Sequence, residues 1–260
     1  MTKRSPKSRM RLLAFVPARS GSKSVPDKNV APLHGVPLAA YSLWTARKSA
    51  LFDETLLSTD SPAYLQALRP YGARQDYLRP AELAQDTSPT LPAVLHALDW
   101  LASRGEPEFD AVMILQPTAP FRTPQHVARA VSMLEQHPEA TSVVGVRRLH
   151  DLHPARIKKL RDGLWLEDFG APEPDGSRRQ DLKPAAYVRN GTIYLSRTST
   201  LRNQHSILGR RICGIEMPEA NSINIDTPFD FLVAESALRY RPYRRNLSAF
   251  QELFEGREAR

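Results

Sequence analysis

Leu12-Leu13-Ala14-Phe15-Val16-Pro17-Ala18-Arg19-Ser20-Gly21-Ser22-Lys23-Ser24-Val25-Pro26-Asp27-Lys28-Asn29 decides how the rest of the chain is read. Five apolar residues closed by a proline predict a short strand covered on both sheet faces. The segment that follows holds three cations, Arg19, Lys23 and Lys28, among small residues. Open α/β sheets place ligands beyond the carboxyl ends of their strands, which is where this segment falls. Gly21 and its serine neighbours, Ser22 among them, let backbone N–H groups approach an anion, and the cations can neutralise phosphate oxygens. Two familiar phosphate loops do not fit: Gly21-Ser22-Lys23 lacks the earlier glycine of GxxxxGK[ST], and GxGxxG does not occur. A basic surface loop without a ligand is the plain alternative.

Further strands are expected at Glu54–Ser58, 111–115, 142–146, 192–195 and 212–217, each a short apolar run. Helices are expected after Pro37, after Pro62 and from Pro89 to Ala102, where Leu91, Val94, Leu95, Leu98 and Leu101 share one side. Two more are expected over 127–134 and from Pro228 to Leu238. Strand–helix alternation predicts an α/β fold: a mostly parallel twisted sheet with helices on both faces, Rossmann-like. The alternation stops between about 149 and 186, a stretch with Pro154, Gly163, Pro172, Pro174, Gly176 and Pro184. We read it as an excursion from the main sheet, a hairpin suited to pairing with another subunit. The predicted organisation is a disordered basic tail over 1–10, a domain over 11–240 containing that excursion, and a C-terminal tail over 241–260.

Composition narrows the classes. Hydrophobic residues make up 41% of 260, enough for a sizeable core, and 22 prolines against 12 glycines suggest fixed loops. No apolar stretch is long enough for a bilayer, so no membrane partner is expected. The basic, polar start has no apolar stretch behind it, which points away from a secretory leader. The single cysteine, Cys213, excludes an internal disulfide and reads as strand packing in a reducing cytoplasm. The net charge of +8 gathers largely near the two ends, without interleaved aromatics, so no nucleic-acid partner is expected.

Pro17-Ala18-Arg19-Ser20-Gly21-Ser22-Lys23, with Pro26, Lys28 and Asn29, closely resembles the signature of the acylneuraminate cytidylyltransferases, the CMP-sialic acid synthetases, with serine at position 20 where they usually carry glycine. The resemblance continues in order through Pro32-Leu33, Gly35, Pro37-Leu38 and Tyr41-Ser42; Leu57-Ser58-Thr59-Asp60; Leu78-Arg79-Pro80, Leu83-Ala84 and Asp86-Thr87; and Leu115-Gln116-Pro117-Thr118, Pro120 and Arg122. Arg178-Arg179-Gln180, Arg189-Asn190-Gly191 and Ser222-Ile223-Asn224-Ile225-Asp226-Thr227 complete it, so it runs from about Leu12 to Ala234.

The resemblance implies a nucleotidyltransferase that joins CMP from CTP to a nine-carbon acidic sugar and works as a homodimer. Arg19 and Lys23, with Lys28, would hold the phosphates and stabilise the transition state, and Ser22 and Asn29 would meet the nucleotide or orient the loop. Arg79, Asp86 and Ser88 would frame the cytosine; an N-cap for the next helix is the alternative for Asp86-Thr87-Ser88. Gln116, ending an apolar strand, should project into the crevice and would meet the sugar. Arg179 and Gln180 would contact the sugar, the guanidinium gripping its carboxylate in the chain's own cleft or a partner's. Asn190 would join them, although Asn190-Gly191 also reads as a plain turn. Asp226 would hold Mg²⁺, with Mn²⁺ as an alternative ion. Family members carry Asp-x-Asp there, but this chain has Asn224, which should face the same way as Asp226 and brings no charge. Weaker metal binding or help from Asp230 would follow. Kdo as the acid sugar, a weakly active binding protein that keeps the fold, and a nucleic-acid binder are the competing readings.

Overall fold

The computed structural model describes residues 9–255 except 151, 171, 241–242 and 244–247. Strand β1 (Leu12–Pro17) is buried until Pro17. A two-residue ladder, β2 (Pro32–Leu33) with β3 (Val36–Pro37), turns through His34 and Gly35, both at positive φ. It delivers the chain to α1 (Leu38–Ser49), whose last turn carries Arg47 and Lys48, the favourable sign for a helix carboxyl end. Strand β4 (Glu54–Ser58) leads to α2 (Pro62–Leu68), where the Ser61 hydroxyl accepts from the Tyr64 N–H and Pro62 opens the first turn. Then come α3 (Thr90–Ser103), β5 (Ala111–Ile114), α4 (Pro124–Gln136) and β6 (Ser142–Arg148). The excursion follows as β7 (Lys158–Arg161) and β8 (Trp165–Asp168), an antiparallel hairpin exposed along its whole length. The main sheet resumes with β9 (Tyr187–Arg197), followed by α5 (Thr198–Asn203), β10 (Ile212–Glu216) and α6 (Pro228–Arg239).

The six-stranded sheet runs β10-β6-β9-β5-β1-β4. All its pairings are parallel except those of β9, which is antiparallel to β5 and β6. The mostly parallel sheet is therefore as expected, with one reversal. Among the described residues no α-helix connects β6 to β9; the chain passes through the excursion and returns beside β6, which an antiparallel pair permits. Alternate residues of β1 supply two separate cores. Leu12, Ala14 and Val16 pack with α1, α4 and α6, and Leu13 and Phe15 pack with Val94, Leu98 and Leu101 of α3.

Two terminal segments behave differently from a pair of tails. Residues 1–8 of the predicted basic tail lie outside the described residues, but Met10 packs against the core. Within 241–260, Phe250 is fully buried, with its ring 5.5 Å from Tyr41 and 5.1 Å from Trp44, and Leu253 is buried beside it.

Candidate functional site

The loop after β1 is fastened at each end. The Ala18 N–H donates to Ser58 O at 2.8 Å, and the Asn29 amide donates to Arg19 O at 2.9 Å. Between them, Ser20 N–H and hydroxyl donate to the two Asp60 oxygens at 2.7 and 2.6 Å. Burial pushes the Asp60 carboxyl up, but those bonds and the Arg79 charge outweigh it and hold the group below the usual carboxylate range. Sequence reasoning assigns Asp60 no role; its position just past a strand's carboxyl end is the signal that could have found it.

The three loop cations sit in different settings. Lys28 is buried, and its ammonium donates to Ile225 O at 3.0 Å and Asp226 Oδ1 at 3.2 Å. Arg19 is partly exposed and its guanidinium lies 2.7 Å from Asp86 Oδ1. Lys23 projects into solvent and meets Asp86 Oδ2 at 2.6 Å. Asp86 therefore binds cations and does not cap α3: the N-cap is Pro89, which offers no side-chain acceptor. That leaves the N–H groups of the first turn of α3 without a side-chain partner at the cap, a setting favourable to anions.

Arg79 is buried at the end of β4, donating to Ser58 Oγ at 2.9 Å and Ser58 O at 2.6 Å. Ser88 donates to Glu82 O at 3.1 Å. Gln116 lies two residues past the end of β5, and its backbone carbonyl accepts from Arg122 Nη2. Arg122 is completely buried, donates also to Thr192 O at 2.6 Å and Ser42 Oγ at 2.7 Å, and has no carboxylate partner among the described residues. Burial alone lowers its pKa to about 9. Arg122 thus fixes the backbone of the 116–122 loop and does not reach phosphate. His126 behind it is also pushed down by burial, to about 4, and is neutral at pH 7.

Residues 223–226 are extended but form no strand. Ile225 is buried, its N–H donating to Thr118 O at 2.6 Å, so Asn224 and Asp226 project to the other side. The Asn224 amide nitrogen donates to Asp226 Oδ2, the side-by-side placement that the sequence implied. Asp230 is engaged elsewhere: its Oδ2 accepts from the N–H groups of Asp226 and Thr227 and from the Thr227 hydroxyl, the capping box of α6. That commitment fixes one oxygen of Asp230 in the cap of α6.

One open cleft, about 320 Å³, collects Arg19, Ser22, Lys28, Asn29, Arg79, Ser88, Gln116 and Asp226 in its lining. Lys23 and Asp86 stand at its rim through the ion pairs that Asp86 makes with Lys23 and with Arg19. Asn224 reaches the same region: a Cβ on Gly191 would lie 3.3 Å from both Asn224 Oδ1 and Gln116 Oε1. Asn190 is buried, and its bonds stay within the protein, to Ser222 Oγ at 2.9 Å and from the Thr192 hydroxyl at 2.6 Å. Gly145 on β6 is required beside it, since a Cβ there would collide with Thr192 Oγ1 and Asn190 Oδ1. Arg179 and Gln180 are exposed on the excursion and do not line this cleft.

Residues 13–211 match a family described as cytidylyltransferase. The chain is 30% identical over 247 residues to the N-acylneuraminate cytidylyltransferase of Escherichia coli O18:K1:H7, covering 94% of this chain and 56% of that one. It is 32% identical over 235 residues to the CMP-N,N'-diacetyllegionaminic acid synthase of Legionella pneumophila, covering 88% and 97%. The chain thus spans about half the length of the first relative and nearly all of the second. Among solved structures it is similar to a CMP:2-keto-3-deoxy-manno-octonic acid synthetase complexed with CTP, with a TM-score of 0.63, 17% identity, and coverage of 88% of this chain and 98% of that one, a likeness of fold.

Proposed function

The chain belongs to the cytidylyltransferase family, and from that premise we propose that it transfers CMP from CTP to the anomeric hydroxyl of a nonulosonic acid, releasing pyrophosphate. The observation that carries the reading is the meeting of Arg19, Lys28, Arg79, Gln116 and Asp226 around one cleft at the sheet's carboxyl edge. Relatives named for N-acylneuraminate and for diacetyllegionaminic acid support an acidic nine-carbon sugar.

In the proposed reaction the sugar hydroxyl gives up its proton to solvent as its oxygen bonds to the α-phosphorus, and the bond from that phosphorus to the oxygen shared with the β-phosphate breaks, the oxygen leaving on pyrophosphate. Charge grows on the phosphoryl oxygens and on the leaving pyrophosphate. Arg19, Lys23 and Lys28 stabilise that charge more than they stabilise bound CTP. Lys28 contributes a fixed charge because its stem is buried and its ammonium is already held. Arg79 and Ser88 line the side assigned to cytosine, and Gln116 the side assigned to the sugar.

Asp226 fits a divalent cation in a minimal way: one carboxylate on the cleft wall, with phosphate oxygens expected to complete the shell. Asn224 turns its nitrogen toward that carboxylate and adds no anion. We assign Mg²⁺, with Mn²⁺ as the alternative; when bound, it supplies charge neutralisation at the phosphates.

The apolar hairpin supports a homodimer. Leu160, Leu164, Trp165, Leu166 and Phe169 are all exposed there, large apolar side chains that a second surface would cover. Arg179 and Gln180 lie on the same excursion, which suits a sugar contact made in the partner's cleft.

The test is pyrophosphate release from CTP with Mg²⁺ and a panel of acid sugars. Release with a nonulosonic acid is expected. Release with Kdo alone would move the substrate class, and no release with any sugar would overturn the enzymatic reading.

A further inference from the structure

The two cations of the β1 loop that stand nearest solvent share one anion, and it comes from the segment just before α3. Asp86 receives Arg19 at 2.7 Å on one oxygen and Lys23 at 2.6 Å on the other. The Lys23 hydrogen bond, followed by the charges of Lys23 and Arg19, holds the Asp86 carboxyl below its usual range, so it is ionised at neutral pH. It makes no cap for α3, and it is not itself part of the cleft lining. Its geometry resembles what a phosphate group would present: two oxygens, each meeting one cation.

We propose that Asp86 is an internal counter-ion that occupies Arg19 and Lys23 while the cleft is empty, yields them to the triphosphate, and reclaims them to help expel pyrophosphate. This rests on the reading of Arg19 and Lys23 as phosphate ligands. The magnitudes suit an exchange. Lys23 is 83% exposed and Asp86 32%, a setting in which an ion pair is weak and readily displaced. A triphosphate brings several charges where Asp86 brings one, so it wins on binding. Pyrophosphate has lost the base and the α-phosphate, so its advantage over the carboxylate is smaller. Lys28 takes no part in the exchange, because it is buried and paired with Asp226 on the other wall. Asp60 is the structural contrast: it binds the loop backbone at Ser20 and holds the loop in place. Asp86 is thus a positioning residue that acts through the two cations.

The test is the affinity of the full chain for inorganic pyrophosphate, measured by calorimetry at fixed ionic strength for wild type, Asp86→Asn and Asp86→Glu. Asparagine keeps the shape and removes the charge. Freeing two exposed ion pairs predicts pyrophosphate binding about two- to thirtyfold tighter in Asp86→Asn, with correspondingly stronger product inhibition. Asp86→Glu should return toward wild type. In Lys23→Ala the gain from Asp86→Asn should shrink, since one of the freed cations is gone. Equal or weaker pyrophosphate binding by Asp86→Asn would overturn the proposal. So would unchanged pyrophosphate binding with a reduced preference for CTP over UTP, which would make Asp86 a reader of the base. Failure of wild type to bind either CTP or pyrophosphate would instead remove the phosphate reading of the loop, and this proposal with it.

Discussion

The cleft wall and the excursion use the same kinds of residue in opposite ways. On and behind the wall, Lys28, Arg79 and Arg122 are buried, and each donates to a backbone carbonyl of this chain. On the excursion, Trp165 and Leu166 are 64% and 71% exposed, and Arg178 pairs with Asp181 in solvent. Cations are inside where they aim a loop, and large apolar groups are outside where a second surface is expected. The difference teaches that this chain's own hydrogen bonds hold the wall in place, whereas the excursion's apolar residues are the ones that the proposed dimer would cover.

The largest expected effect falls on the excursion. Replacing Trp165 and Leu166 together with serine removes two side chains per subunit, four in the homodimer, about 6–12 kcal/mol of association free energy at ~1.5–3 kcal/mol each. Sedimentation should show a dimer becoming a monomer while the thermal midpoint of the subunit hardly moves. A wild-type monomer, or a variant that loses its fold, would break the contrast between the regions.

Arg122 tests the other side. Arg122→Ala opens a cavity and leaves the Thr192 and Gln116 carbonyls and the Ser42 hydroxyl without their donor. A loss of about 3–5 kcal/mol in denaturant stability is expected. Arg122→Lys should recover only part, because an ammonium cannot reproduce the fork that reaches three acceptors. Lys28 should separate chemistry from folding. Lys28→Ala is expected to lower kcat by about 100- to 1000-fold, the usual effect of losing one aimed transition-state donor. If KM rises and kcat stays, Lys28 serves binding alone.

The pH dependence of stability should also belong to the buried side. His126 has a folded pKa of about 4 against the ordinary histidine value of 6.5, because burial disfavours its charged form. Between those values the unfolded chain binds a proton that the folded chain does not, so stability falls as pH drops from about 6.5 toward 4. The loss should approach roughly 3 kcal/mol, and His126→Gln should flatten that part of the curve.

What can be read from the sequence follows the same division. The buried strands and the proline-opened helices declare themselves through apolar runs and caps, so β1, β4 and α3 stand where expected to within a residue or two. The pattern predicts β9 only over 192–195, because its first half, Tyr187-Val188-Arg189, is exposed and runs into Asn190-Gly191, which reads as a turn. It gives no sign of α5, since Thr198-Ser199-Thr200 favours helices weakly and the element is short. The predicted C-terminal tail includes Phe250, whose burial is not legible because its partners Tyr41 and Trp44 lie far away in the chain. In the site, motif order foretells eight of the residues that line the cleft, but not that Arg179 and Gln180 stay away from it, nor how the charged residues are paired. Nothing local to Asp86 indicates that it meets Arg19 and Lys23, and nothing local to Arg122 indicates that it is buried.

The smallest expected effect is the most informative about this chain's own departure from its family's motif. Asn224 donates an N–H to Asp226, so the carboxylate is held by an amide on one oxygen and by Lys28 on the other. Asn224→Asp would replace that donor with a second anion. Two carboxylates side by side repel unless a cation lies between them, so the variant should bind Mn²⁺, followed directly by its paramagnetic signal, about tenfold more tightly or somewhat less. Without metal the same repulsion should lower the thermal midpoint slightly, and added Mg²⁺ should restore it. Lys28 tempers both changes, because its buried ammonium already faces Asp226 and offsets part of the added charge. Unchanged metal affinity in Asn224→Asp would place the ion elsewhere, and the cleft wall would then complete only the phosphate half of the site.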